Sequence, residues 1–457
     1  MRPKALKVSK EMKPDDFINL SYLYLYRALD INQMYKYVYH LDLEAPDFSL
    51  KSEAIRKRLI NLGLIKISVY LPNKEAVQIT NVGIEIVRFL RDIPQEIWDN
   101  KTKIAKKGYY TAADLAMNTR LMNHQIHLNQ FMLEFEDRAR KLKIPWNYYD
   151  EKFLSQYVGM RPDGMITILD NDLFIEIDMA TESKKQLEEK WDHYRIFMQS
   201  NEYKYKSRKI IVLFDVDNIL SKRKIGNRID MVKTTLKNKL LDEITGDFEI
   251  VINTKDELLN YLFDEFIPRI FQENLSENKV LNYLKSRGYS NSFGYALNNT
   301  LQGDFYNYYS RKINKDGKIN KRHNVVDEFF IDFYYNNEMS VLHRLDWFQK
   351  NSKLYKERYG RGINLIIVTK DITSLYNDLS ILDMRVLGQP GVFFISLDDL
   401  NEKVDVWSNL KQFSLDGAVY KIVTDDLSRR EFLFRIDEKK IRHKVGKVVW
   451  KKNNLKI

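Results

Sequence analysis

The sequence predicts a multi-domain protein of mixed α/β class (α+β across its domains), and three observations carry that expectation. The N-terminal part reads as three helices followed by a short β-hairpin. Residues 124–215 read in the order helix, three strands, helix, strand. The chain is also similar to itself at a shift of 156 positions, where 174–215 falls without a gap on 330–371. These patterns divide the chain into 1–98, a connector at 99–123, a first α/β domain at 124–260, a second at 261–410, and a basic β-rich tail at 411–457.

The N-terminal elements follow from caps and apolar spacing. Asp15–Arg27 is expected as a helix with an Asp N-cap, and Asp30 caps a second helix running to about Tyr39. Ser49 or Ser52 opens a third, which Gly63 ends. Ile55, Leu59 and Leu62 form its apolar stripe, while Lys51, Arg56, Lys57 and Arg58 lie largely on other faces. Leu64–Leu71, a Pro72-Asn73 turn and Ala76–Thr80 make a hairpin, and Ile84–Leu90 a closing helix. Three helices and a hairpin make a winged helix-turn-helix. Its third helix is expected in a DNA major groove, with the hairpin against phosphates. The competing reading is a winged helix used for dimerisation or packing, with its basic residues solvated.

In the connector, Lys101, Lys103, Lys106 and Lys107 precede Tyr109-Tyr110. Such a run either touches nucleic acid or is a solvated linker. His124–Lys143 is expected as a long helix with an apolar face of Phe131, Phe135 and Leu142. A strand starts at Pro145-Trp146. His124 and His127, three apart on the helix, are read as helix-face residues rather than ligands.

The chemistry concentrates between Arg161 and Tyr194. Arg161-Pro162-Asp163-Gly164 leads into an apolar strand, Met165–Leu169. A Leu-Asp-Asn-Asp turn leads back through Leu173–Ile177. An antiparallel pair brings Asp163 at the start of one strand toward Glu176 in the other. Glu176 and Asp178 are separated by one residue and so share a sheet face. Carboxylates that converge repel one another unless a cation is present, and hard divalent cations take such oxygen ligands. Thr181 can cap the following helix, on which Lys190 and Tyr194 share a face.

This ordered set resembles the PD-(D/E)XK nuclease superfamily. It resembles more closely the replication-relaxation family of plasmid mobilisation proteins (MobC-type), whose pattern Arg161, Pro162, Asp163, Glu176, Asp178, Thr181, Glu182, Lys190 and Tyr194 follow. The resemblance covers roughly the first 220 residues. It implies a restriction-endonuclease-like α/β core with a metal site of Asp163, Glu176 and Asp178 for Mg²⁺ or Mn²⁺, completed by a main-chain carbonyl. Glu182, Glu134 and Glu136 are further candidates for the acidic ring. Lys190 would offset charge on phosphate, and Tyr194 would be a hydrogen-bond donor or an attacking nucleophile. One departure matters: Asp178 stands where the superfamily has its lysine. Either Lys190, Lys184 or Lys185 substitutes from the helix, or the centre is altered or dead.

The shifted copy shares nine identities over 42 positions, among them Trp191 with Trp347 and Glu182 with Glu338. Its acidic centre is lost: Glu176 becomes Asp332, Asp178 becomes Tyr334, Lys190 becomes Asp346, and Ile319 stands opposite Asp163. One active lobe and one degenerate, structural lobe is the expectation; convergence of two ordinary α/β units is the alternative. Basic segments at 221–228 (with Arg223), at 306–322 (with Arg322) and in the tail, together with Arg161, could line a phosphate track.

Composition narrows the classes. The chain has 457 residues, a net charge of +11 and a pI near 9.2, an excess that suits a polyanionic partner. It has no cysteine, which excludes disulfides, thiolate metal sites and cysteine nucleophiles. Met1–Lys13 is basic without an apolar run, and no stretch is apolar enough to span a membrane, so a cytoplasmic protein is expected. The function expected is sequence-specific, metal-dependent nicking of double-stranded DNA at a plasmid or mobile-element origin. Single-stranded DNA and conjugation or replication proteins are further partners. The alternatives are an inactive origin-binding scaffold and a restriction-type defence nuclease.

Overall fold

The computed structural model describes residues 3–39, 48–99, 103–154, 157, 159–204, 209–216, 222–244, 248–271, 275–292, 308–313, 325–335, 338–372, 375, 387–414, 418–424 and 426–435. The chain forms two compact units: Met1–Met179 with His193–Arg208, and Ala180–Asp192 with Lys209–Ile457.

The first unit begins with α1 (Pro3–Glu11) and α2 (Pro14–Tyr26). Pro14 sits at the first helical position, where its missing N–H costs nothing, and the Asp16 carboxylate accepts from the Lys13 N–H at 2.9 Å. β1 (Ala28–Asp30) leads into α3 (Ile31–Gln33), which runs on as a π-helical turn through Val38. Asp30 caps it as expected, accepting from the Asn32 N–H, while the Gln33 side chain reaches back to the Asp30 N–H. α4 (Phe48–Asn61) ends before Gly63, whose φ of +66° is the left-handed conformation of a helix stop. β2 (Ile65–Leu71) and β3 (Lys74–Ile79) form the hairpin, and β1 joins it to give an antiparallel sheet in the order β1-β3-β2. α5 (Asn81–Leu90) follows under a Thr80 cap.

The expected connector is folded. β4 (Glu96–Asp99) and β5 (Ile104–Lys107) make a hairpin, followed by α6 (Ala112–Leu115). Lys106 is buried rather than solvated, 3.1 Å from Asp99 and over the Tyr157 ring, and Lys107 pairs with Asp114 at 2.7 Å. Both lysines neutralise local carboxylates, Lys106 from a buried position and Lys107 at the surface. Lys101 lies outside the described residues.

α7 (Thr119–Lys141) buries Phe131, Met132 and Phe135, but Leu142, expected on that face, is past its end and 60% exposed. Asn129, wholly buried in the helix, donates its side-chain amide to the carbonyls of Tyr26 and Ala28. Tyr22 and Tyr26 donate to Glu136 at 2.5 and 2.9 Å. These bonds hold α7 to α2, and each would cost about 1–3 kcal/mol if one partner were left buried alone. β6 (Asn147–Asp150), α8 (Glu151–Leu154), β7 (Gly164–Ile168) and β8 (Asn171–Asp178) come next, with β6-β7-β8 antiparallel. α9 (Lys184–Gln199) begins in the second unit and ends in the first, followed by α10 (Asn201–Lys204).

In the second unit, β9 (Lys209–Val216) and β10 (Phe248–Asn253) pair in parallel around α11 (Lys222–Leu240). α12 (Lys255–Asn260) runs through a π-helical stretch into α13 (Ile267–Phe271), and α14 (Leu275–Ser286) follows. An eight-stranded sheet then runs β11 (Tyr289–Ser292), β12 (Tyr308–Ile313), β13 (Val325–Tyr334), β14 (Asn364–Thr369), β15 (Val392–Ser396), β16 (Lys411–Phe413), β17 (Ala418–Val423) and β18 (Asp426–Arg435), in sequence order. α15 (Ser340–Tyr359) connects β13 to β14, and α16 (Val406–Asn409) precedes β16. β11-β12-β13 are antiparallel and β13-β14-β15 parallel. Phe329, Ile331, Phe333, Ile366, Val368, Phe393 and Ile395 pack one core under α14.

The shift of 156 has a structural counterpart. β8 ends at Asp178 and β13 at Tyr334; α9 starts at Lys184 and α15 at Ser340. Both stretches follow a helix and an antiparallel run of three strands. The matched tryptophans differ: Trp191 is fully buried, donating to Thr235 and packing on Phe214, whereas Trp347 is half-buried. Ile319, Arg322 and the tail beyond Arg435 lie outside the described residues. Among those residues no helix is long and apolar enough to cross a membrane.

Candidate active site

The hairpin of β7 and β8 sets the site. Gly164 pairs with Ile175 and Met165 with Phe174, and the Asp163 N–H donates to the Ile175 carbonyl at 3.0 Å. Asp163 is thereby held at the strand end beside Glu176. A Cβ at Gly164 would stand 3.1 Å from the Tyr148 ring of β6, so a larger residue there would press on that ring.

Asp163 turns its Oδ2 toward the Ile177 N–H, at 2.7 Å. His124 reaches the same point from α7, 53 positions away in sequence. Its Nε2 lies 3.0 Å from the Ile177 carbonyl oxygen and 3.3 Å from Asp163 Oδ2. Two oxygen acceptors on one ring nitrogen require that nitrogen to carry the proton. His127 uses its Nδ1 on the Asn123 carbonyl of its own helix.

Glu176 and Asp178 are both buried, at 2% and 0% exposure. Glu176 Oε1 accepts from the Tyr194 hydroxyl at 2.6 Å. Tyr194 is 1% exposed, and its pKa is pushed well up by burial, then by the charge and hydrogen bond of Glu176 and by the charge of Asp163. The phenol is therefore kept protonated at neutral pH. It is a donor that orients Glu176, and the attacking-nucleophile role expected as an option does not suit it. Among the described residues, no three His, Asp or Glu side chains gather in a group able to hold a metal ion. The expected triad of Asp163, Glu176 and Asp178 is thus not assembled as three side-chain ligands. The reason is local: Asp163 faces His124 and a backbone N–H, while Glu176 faces Tyr194.

The other expected residues are placed as follows. Lys190 lies 3.1 Å from Glu182 and over the Phe214 ring, in the second unit. Glu182 keeps its second carboxylate oxygen buried without a hydrogen bond. Lys184 and Lys185 are exposed and approach Glu188 and Glu189 of their own helix. Glu136 is committed to Tyr22 and Tyr26, and Glu134 accepts from Gln130. Arg161 is exposed. On α4, Lys57 is 67% exposed and pairs with Glu53, and Arg56 stands 3.5 Å from Glu75 of the hairpin. Arg58 points inward, in a 2.5 Å contact with the fully buried Asp16. It therefore braces α4 on α2 and leaves the expected DNA-contact set. Lys51 and Arg223 lie on α4 and α11, with side chains outside the described ones. Arg228, in the expected basic insert, is buried and donates to the Glu182 carbonyl at 2.6 Å.

His124 is the residue that sequence reasoning set aside. Helical spacing could show only that it shares a helix with His127. Its contact with Asp163 and Ile177 arises from how α7 packs along the hairpin, which leaves no mark in local sequence.

Comparison with curated proteins and with solved structures finds no match. A family model described as replication-relaxation matches residues 79–213, under a third of the chain, from the end of β3 into β9. That stretch contains Asp163, Glu176, His124 and Tyr194, so the chain is similar to the replication-relaxation family over its candidate site.

Proposed function

We propose that this chain processes the DNA of a plasmid or other mobile element at its origin, as a metal-dependent nicking endonuclease. The observation that carries the reading is the pair Asp163 and Glu176 at one end of an antiparallel hairpin, within the stretch similar to the replication-relaxation family. The hairpin, preceded in the chain by α7 and followed by α9, supports a PD-(D/E)XK-like core. The order α2, β1, α3, α4, β2, β3, with β1 paired to the hairpin, supports a winged helix that presents α4 to double-stranded DNA.

Asp163 Oδ2 and the Ile177 carbonyl are the oxygen donors that a hard divalent cation takes, so the donor chemistry fits Mg²⁺ or Mn²⁺. Such an ion would supply a Lewis acid for the phosphodiester and a more acidic bound water. The protein's own residues do the rest. The Ile177 N–H fixes the Asp163 carboxylate, and Tyr194 fixes Glu176. The buried strand β8 holds Glu176, and the bond from its Ile177 N–H holds Asp163, to a narrow range of positions, which is what catalysis by orientation needs.

The test is relaxation of supercoiled plasmid carrying the cognate origin, with Mg²⁺ or Mn²⁺, beside Asp163→Ala and Glu176→Ala. Open circles from the parent alone are expected. Intact supercoils in every lane, with a salt-sensitive shift of origin DNA, would overturn nicking and favour an origin-binding scaffold. One observation speaks for that second reading: Lys190, the candidate substitute for the missing lysine, is paired with Glu182.

A further inference from the structure

The geometry points to His124 as a third donor, beside Asp163 Oδ2 and the Ile177 carbonyl, in a site that prefers a first-row transition ion to Mg²⁺. This rests on the metal-dependent reading above. Its basis is distance. Two donors at right angles around an ion about 2.1 Å from each stand about 3.0 Å apart. His124 Nε2 is 3.0 Å from the Ile177 oxygen and 3.3 Å from Asp163 Oδ2, contacts made as hydrogen bonds by the protonated ring and close to the separations that neighbouring ligands of one ion would have.

Two of the three donors are carried by regular elements, and the third lies just before one. His124 is on the long helix α7, Ile177 is inside β8, and Asp163 is pinned at the start of β7 by the Ile177 N–H. A ligand set fixed this way needs little ordering when an ion arrives, and the N–H on Oδ2 is the kind of outer bond that orients a carboxylate ligand. On ion binding the Nε2 proton would pass to solvent and Nδ1 would carry the ring's one remaining proton, taken up from solvent where the ring starts as the neutral Nε2–H tautomer, so that Nε2 offers its lone pair to the ion.

The donor types decide the ion. Mg²⁺ is served by oxygen and water, whereas imidazole suits the later first-row ions, and a mixed set of one imidazole, one carboxylate and one carbonyl moves preference away from Mg²⁺. With two side chains and one carbonyl as donors, the remaining positions would go to water or to phosphate oxygens of the DNA.

The full-length protein should be titrated with Mn²⁺ and with Mg²⁺ by calorimetry, and the Mn²⁺ form read by pulsed paramagnetic resonance for coupling to a ¹⁴N nucleus. The same should be done for His124→Gln, Asp163→Asn and His127→Gln. The parent is expected to show directly bound nitrogen and a preference for Mn²⁺. His124→Gln should lose the nitrogen signal and about tenfold or more of the Mn²⁺ affinity. His127→Gln should match the parent. Mn²⁺ bound in an Asp163-dependent way without ¹⁴N coupling in the parent would overturn the role of His124 and leave the metal reading standing. Binding of neither ion, or binding indifferent to Asp163→Asn, would overturn both. The parent spectrum alone decides the ligand question, so a poorly folded variant does not blunt the test.

Discussion

At the hairpin of β7 and β8 the chain sets acid beside a histidine and a tyrosine; around the matching strand β13 it buries acid beside arginines. Asp163 meets His124, and Glu176 meets Tyr194. In the other lobe the fully buried Asp332 is paired with Arg344, Glu338 with Arg269 at 2.7 Å, and Glu328 with Arg361. A guanidinium brings permanent charge in a rigid fork and closes a site electrostatically. A protonated phenol brings no charge, and an imidazole brings it only when it is protonated. The same strand-helix pattern thus carries two kinds of centre: one whose acids face an imidazole and a phenol, and one whose acids face guanidinium groups.

The largest expected effect is on catalysis. Asp163→Ala or Glu176→Ala should lower the nicking rate by about a hundredfold or more, since the group would act on the reacting phosphate. Removing the metal with a chelator should do the same, reversibly. Next comes stability. Arg344→Ala leaves Asp332 buried without its partner and should cost about 3–5 kcal/mol, read as a lowered midpoint in chemical unfolding. An unchanged midpoint would mean that the arginines do not hold that lobe together. Tyr194→Phe should be milder: the buried Glu176 loses a donor at a cost of about 1–3 kcal/mol, and nicking falls without vanishing. The smallest effect is on the exposed face of α4. Lys57→Ala should weaken DNA binding across all sequences and lower the salt slope by about one unit. Arg58→Ala should instead act on folding, because Arg58 is held by buried Asp16.

Much of the fold was legible because it is written locally. The Asp30 cap, the Gly63 stop, the Pro72-Asn73 turn and the alternation into β7 and β8 each depend on a few neighbouring residues. The 156-residue shift was legible because the end of the strand, the start of the helix and the start of the next strand keep their spacing to within a residue. What the sequence hid depends on packing between distant segments. Lys106 looked solvated and is buried on Tyr157. Arg58 looked like a groove contact and faces Asp16, 42 positions earlier. The three carboxylates looked like one ligand set, yet Asp163 and Glu176 turn to different partners. A charged residue's neighbours in space, rather than its residue type, decide whether it is a strut or a site.

The most direct test places the two centres side by side in one plasmid-relaxation assay: the parent, Asp163→Ala, and the charge-balanced double variant Asp332→Asn with Arg344→Gln. Nicking by the parent and the double variant, but not by Asp163→Ala, is the predicted result. Equal loss in both variants while both stay folded, or nicking that survives Asp163→Ala, would contradict the assignment of one live and one closed centre.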